Sequence, residues 1–140
     1  MEIKKIMLPV DGSEHSMRAA EYALEFAELS KSEVLITHSH RPFPVTLGEP
    51  YFQRAINKIM DKSNKLLEPY RKIFEKSDVQ FIERIIEGTP GEVIPRIAEI
   101  ESCDMIIMGS RGCSDLEGLL LGSVTHRVLS SAPCPVLVIR

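Results

Sequence analysis

The chain has no C-x-x-C pair, and its three cysteines, Cys103, Cys113 and Cys134, make an odd set. That fits neither a disulfide framework nor a zinc site and points to a reducing compartment. It has no apolar run approaching a membrane span. The run Ile6 to Val10 is too short even for the hydrophobic region of a signal peptide and is broken by Pro9 and Asp11, so a cytoplasmic protein is expected. Nor is there an excess of positive charge: a net charge of −3 argues against duplex nucleic acid as a partner. Absent too is G-x-x-x-x-G-K-[ST], and with it a Walker lysine for phosphate chemistry. What remains, 140 residues that are 44% hydrophobic and 26% charged with nine scattered prolines, reads as one soluble globular domain spanning residues 1–140.

Short apolar runs alternate with amphipathic ones. Ile3 to Val10, bounded by the turn cluster Asp11-Gly12-Ser13, reads as a strand buried on both faces. Ser13 is placed to cap a helix reaching about Ser30, with Met17, Ala20, Leu24 and Ala27 on one face. Glu33 to His38 is a second, β-branched strand, and this strand-helix-strand order implies parallel pairing with a right-handed crossover. Three prolines and Gly48 make residues 39–50 a long irregular loop, expected to be mobile. Phe52, Ile56, Ile59, Met60, Ser63, Leu67 and Tyr70 predict a helix over 51–76. Pro69, at a cost of about 3 kcal/mol, should kink or end it. Val79 to Ile86 alternates like an edge strand. Thr89 and Glu92 form a capping box with Pro90 at the first position of a helix to about Glu101. Pro95 fits there only if the helix starts nearer Glu92 or bends. Asp104 to Met108 and Pro135 to Ile139 supply the last strands, separated by a helix over Leu119 to Ser131. The order predicts a doubly wound, Rossmann-like α/β domain: a five-stranded parallel sheet, order 3-2-1-4-5, with helices on both faces.

The chemistry concentrates where an apolar run stops at Gly109-x-x-Gly112, delivering the carboxyl end of an interior strand into a loop without bulky side chains. After nine intervening residues Gly122-Ser123-Val124 falls in or near a helix's first turn, where unpaired amides favour an anion, commonly phosphate. If strand order reverses between strands one and four, Asp11 and Gly109 face the crevice where ligands of such sheets sit. Each part has a simpler reading. Gly-x-x-Gly is usually a tight turn, Ser123 could only cap its helix, and Asp11-Gly12 could only begin a turn rather than offer a carboxylate to ribose. Arg111 could be solvated rather than neutralise phosphate. The convergence of a loop and a helix start on one crevice favours the functional reading. Leu119-Leu120-Leu121 reads as core, and His15 and His126 as surface residues near helix starts. His38 and His40 share a strand face, but no carboxylate or thiol completes a ligand set.

These residues resemble the universal stress protein family over essentially the whole chain. The resemblance is carried by Ile6-Met7-Leu8-Pro9-Val10-Asp11-Gly12-Ser13, Glu87-Gly88-Thr89-Pro90, Met108-Gly109-Ser110-Arg111-Gly112, Leu121-Gly122-Ser123-Val124 and Cys134-Pro135-Val136-Leu137-Val138. The Gly-x2-Gly-x9-Gly-Ser spacing is similar to that of the family's ATP-binding members. It implies an adenine nucleotide, ATP with AMP or ADP as alternatives, across the carboxyl edge of the sheet. Pro9 and Val10 would lie near the base and Asp11 near the ribose. Met108, Gly109, Arg111 and Gly112, with Gly122, Ser123, Val124 and Thr125, would surround the phosphates, and Ser13 and Ser39 complete the expected set. Ser39 stands where family members often carry an apolar residue, a departure at the base. Mg2+ or Mn2+ is expected only as the nucleotide's counter-ion. The resemblance also implies a homodimer through the fifth strand and a downstream protein partner, with neither nucleic acid nor membrane.

The expected function is thus a cytoplasmic ATP-binding regulator that reports stress or energy status, with slow or no hydrolysis because no base is placed to activate water. It is not expected to be a dedicated enzyme, at most a weak ATPase. The alternatives are a slow ATPase or phosphoryl-transfer enzyme with Ser123 as acceptor, and a nucleotide-free dimerisation module. A Cβ at Gly109 or Gly122 is expected to clash with nucleotide and leave the fold intact.

Overall fold

The computed structural model describes all residues except Pro44, Val45 and Ser114. Its elements are β1 (Lys5–Pro9), α1 (Glu14–Ser30), β2 (Glu33–His40), α2 (Tyr51–Glu75), β3 (Phe81–Glu87), α3 (Pro90–Ile100), β4 (Met105–Gly109), α4 (Ser123–Ser131) and β5 (Val136–Ile139). All strand pairs are parallel and the order is β3-β2-β1-β4-β5, as expected for a doubly wound domain.

Period-two alternation sends neighbouring residues of one strand into opposite cores, which is why the central strands read as unbroken apolar runs. Ile6, Leu8, Val34 and Ile36 pack against Ala19, Ala20, Ala23 and Ala27 of α1 and Leu67, Tyr70 and Phe74 of α2. Met7, Leu35 and Ile106 pack against Ile94 and Ala98 of α3 and Val128 of α4. The alanine stripe lets α1 lie close over the sheet, and Ser13 caps it, its Oγ accepting from the Ser16 N–H at 3.1 Å.

Several local expectations are corrected. Helix α2 has the expected span and continues through Pro69 to Glu75, so of the two effects expected of that proline, a kink or an end, the end does not occur. Full burial of Leu67 and Phe74 contributes about 1.5–3 kcal/mol each, enough to offset the ~3 kcal/mol proline penalty. Helix α3 starts at Pro90, so Pro95 lies inside it and the start is not displaced. Thr89 is its cap residue but makes no side-chain cap bond, and Glu92 reaches Arg127 on α4 instead, at 3.0 Å. Strand β2 runs on to His40, shortening the irregular segment; within that segment Pro44 and Val45 lie outside the described residues. Helix α4 begins only at Ser123. Leu119 and Leu120 precede it and are 44% and 67% exposed, so these leucines do not join the core.

One buried bond ties α2 to the turn after β1. The Tyr70 hydroxyl donates to Ser16 Oγ at 2.8 Å and accepts from the Gly12 N–H at 3.0 Å. Burial raises its pKa, so it stays neutral. Tyr70→Phe leaves the Gly12 donor without a partner and is expected to cost about 1–3 kcal/mol in urea unfolding at an unchanged m-value. A loss below a few tenths would mean the bridge is not formed in solution.

Candidate functional site

The reversal of strand order falls between β1 and β4, and a cavity of about 220 Å³ opens beyond their carboxyl ends. Pro9, Val10, Asp11, Ser39, Met108, Gly109, Arg111, Gly112, Ser123, Val124 and Thr125 line it. Segments far apart in the chain are thus brought together as the spacing implied. Ser13 and Gly122, also expected there, do not line it. The Ser13 hydroxyl is turned into the first turn of α1, and a Cβ at Gly122 would strike the Asp115 carboxylate. Ser16, Thr37, His38, Pro90, Ile94, Cys113 and Asp115 also line the cavity, although none of them was expected in the nucleotide-binding set. Strand alternation would have found Thr37, whose position faces the same way as Leu35. No spacing signals Asp115.

The cavity has an apolar end and a donor end. Pro9, Val10, Ile94 and Met108 form the first, where Val10 O contacts His38 Nδ1 at 3.0 Å. At the other end the amides of both glycine segments converge on one carboxylate. The Gly112 N–H donates to Asp115 Oδ2 at 2.6 Å and the Ser123 N–H to Asp115 Oδ1 at 3.4 Å. Gly122 is the N-cap residue of α4 and has no side chain to cap with, so the expectation that the Ser123 hydroxyl caps the helix is corrected: Asp115 does it from a distance.

Asp11 forms the expected turn and makes a second, unforeseen contact. Its Oδ1 accepts from the Ser13 N–H at 2.9 Å, a local turn, while Oδ2 accepts from the Cys113 N–H at 3.2 Å and so clamps β1 to the glycine loop. Cys113 Sγ also donates to Asp11 O at 3.2 Å. The cysteines are free thiols, and burial pushes that of Cys103 up to about 11.

Arg111 does not lie free in solvent. Its guanidinium donates to His15 Nε2, 3.3 Å from Nε and 3.1 Å from Nη2, so half-buried His15 is a neutral acceptor and not an isolated surface residue. Burial first, then the Arg111 charge, lowers its pKa below 6.5. His126 is exposed, as expected. His38 and His40 each place Nδ1 against a backbone carbonyl, and among the described residues no group of three or more His, Cys, Asp or Glu could hold a metal ion.

Gly109 serves packing. A Cβ there would lie 2.8 Å from the His15 backbone carbon and 2.9 Å from its Cβ, so the missing side chain admits α1, not a ligand. A larger open groove of about 910 Å³ lies at the amino ends of the strands. Part of its charge is paired internally: Lys5 pairs with Glu33 at 3.4 Å and Glu101 at 3.6 Å, and Asp104 accepts from the Lys4 and Lys5 amides.

The fold and this cavity define a doubly wound α/β protein with anion-holding amides at the switch point of its sheet. Within that class the chain belongs to the universal stress protein family, whose model matches residues 2–140. It is 34% identical over 137 residues to the universal stress protein in the QAH/OAS sulfhydrylase 3'region of Thermus aquaticus, covering 98% of each chain. The solved structure of MJ0577, a universal stress protein of Methanocaldococcus jannaschii, matches with a TM-score of 0.87 at 34% identity, over 99% of this chain and 96% of that one. A universal stress protein from Archaeoglobus fulgidus, solved in complex with dAMP, shares the fold at 21% identity, with a TM-score of 0.75 over 100% of both chains. No described helix is long and apolar enough to cross a membrane.

Two outcomes are expected. Because the folded-state pKa of His15 lies below the unfolded 6.5, its contribution to stability is complete above pH 6.5 and is lost as pH falls through the folded value. An NMR ring-proton titration should place the His15 midpoint below 6.5, and His15→Gln should flatten stability against pH in that window. A midpoint at or above 6.5 contradicts the neutral contact with Arg111. Separately, Gly109→Val should lose about 1–3 kcal/mol by forcing α1 off the sheet. Gly122→Val meets only the end of the Asp115 side chain and should melt closer to wild type.

Proposed function

We propose that this universal stress protein binds ATP across the carboxyl edge of β1 and β4 and acts as a nucleotide-dependent regulator, with binding rather than turnover as its output. The observation that carries the reading is the Asp115 carboxylate itself: donors from Gly112 and Ser123, eleven residues apart and on separate segments, meet on a negatively charged group. Pro9, Val10, Ile94 and Met108 offer a base an apolar bed, with Ser39 at its rim and Asp11 beside the ribose. Arg111 lies next to the amides as the cation for the phosphates, with Mg2+ or Mn2+ travelling as the nucleotide's counter-ion. The dAMP complex of the Archaeoglobus fulgidus relative supports an adenine ligand for this fold.

Bound nucleotide stabilises the fold by mass action and so couples ligand concentration to conformation without chemistry. The exposed edge of β5, apolar from Val136 to Ile139 and half-buried in one chain, suits pairing with a second copy. A cytoplasmic setting and a protein partner downstream complete the proposal. Ser123, exposed at the cavity mouth, makes slow phosphoryl transfer to its hydroxyl the second reading.

Calorimetric titration of the purified protein with ATP, ADP and AMP tests the first reading, and a single-turnover assay with labelled ATP tests the second. ATP should bind, and Arg111→Ala should weaken it about tenfold through loss of a charge-assisted contact. Absence of any adenine nucleotide binding by the wild type would sink the proposal.

A further inference from the structure

We infer that Asp115 is an internal competitor for the phosphate end of the site: its carboxylate holds the amides that a ligand phosphate needs, and it must leave as nucleotide binds. The inference rests on the nucleotide reading and specifies how the site is regulated. Each carboxylate oxygen is committed to one segment, Oδ2 to the Gly112 N–H at 2.6 Å and Oδ1 to the Ser123 N–H at 3.4 Å. The end of β4 and the start of α4 are held together directly, by the Gly122 N–H on Ser110 O at 2.6 Å and the Thr125 hydroxyl on Gly109 O at 2.8 Å, so this juxtaposition does not need Asp115. A phosphate placed there would meet a carboxylate of the same charge on the same donors, so the two anions exclude one another.

Two further features fit an occupant that comes and goes. Any side chain at residue 122 would strike this carboxylate, so the bare Gly122 leaves room for Asp115 in the unliganded protein. The cavity, about 220 Å³, falls below the roughly 300 Å³ at which small-molecule sites begin, and Asp115 stands within it at the donor end. Asp115 is itself half-buried, and its neighbour Leu116 is 75% exposed.

An internal occupant lowers apparent affinity by the fraction of molecules whose site is open, and an effect of this kind acts only on ligands that carry phosphate. Its strength is set by two amide bonds to a charged group, which makes roughly a tenfold penalty the expected scale. The alternative is a purely structural remote cap on α4, for which loss of the carboxylate would weaken both the fold and the binding.

The test measures ATP with Mg2+, and adenosine, by calorimetry against wild type, Asp115→Asn and Asp115→Ala, with thermal melts of each unliganded protein. Both variants should bind ATP about tenfold more tightly and adenosine within about twofold of wild type, while the unliganded midpoints fall because α4 has lost its cap. Gly112 and Ser123 amides should exchange faster in unliganded Asp115→Ala than in wild type and be equally protected once ATP is bound, which a mere field effect of a nearby charge would not produce. If wild type binds ATP and neither variant binds it more tightly, or if adenosine tightens by the same factor, Asp115 is only a cap and the inference is overturned. If wild type and variants alike bind neither ligand, the nucleotide reading fails and this inference goes with it.

Discussion

A parallel sheet buried on both faces leaves little room for polar chemistry along its strands. Ile6, Met7, Leu8, Leu35, Ile36, Ile106 and Ile107 are fully buried, so polar groups gather at the strand ends. The reversal between β1 and β4 adds the second constraint, because the connections after these two strands leave on opposite faces and open a crevice between them. Every feature of the candidate site follows from that separation: the Asp11 clamp onto Cys113, the approach of α1 over Gly109, and the meeting of the two glycine segments.

Within the crevice, charge is managed locally. Arg111 is held by a neutral His15, and the amides of Gly112 and Ser123 are held by Asp115. An anion entering there finds partners already directed inward, with bonds exchanged and not newly created. In the proposed reading, internal and external anions compete for the same donors.

Much of this was legible in the residue pattern. The alternation of short apolar runs with amphipathic helices specifies element order, and the Asp11-Gly12-Ser13 turn, the Gly109-x-x-Gly112 loop and the Gly122-Ser123 helix start mark the crevice. The errors share a cause. Pro69 and Thr89 were read by local propensity, but burial of Leu67 and Phe74 outweighs the proline in α2, and Glu92 finds Arg127 on another helix. The leucines before α4 look like core by composition, yet they lie in a loop outside both packed layers. Gly109 looks like ligand clearance by its motif, yet the nearest atoms belong to α1.

The sequence by itself determined the layered architecture, the family resemblance and the edge at which a ligand would sit, because side-chain periodicity and turn chemistry act over a few residues. Only the tertiary structure decided what faces what. That His15 backs Arg111 and that Gly109 admits a helix depend on contacts between segments up to about a hundred residues apart, while Asp115 reaches its amides only because the loop between Gly112 and Ser123 folds back on itself. Pairings of that range are set by how whole helices seat on the sheet, through packing that no local spacing encodes.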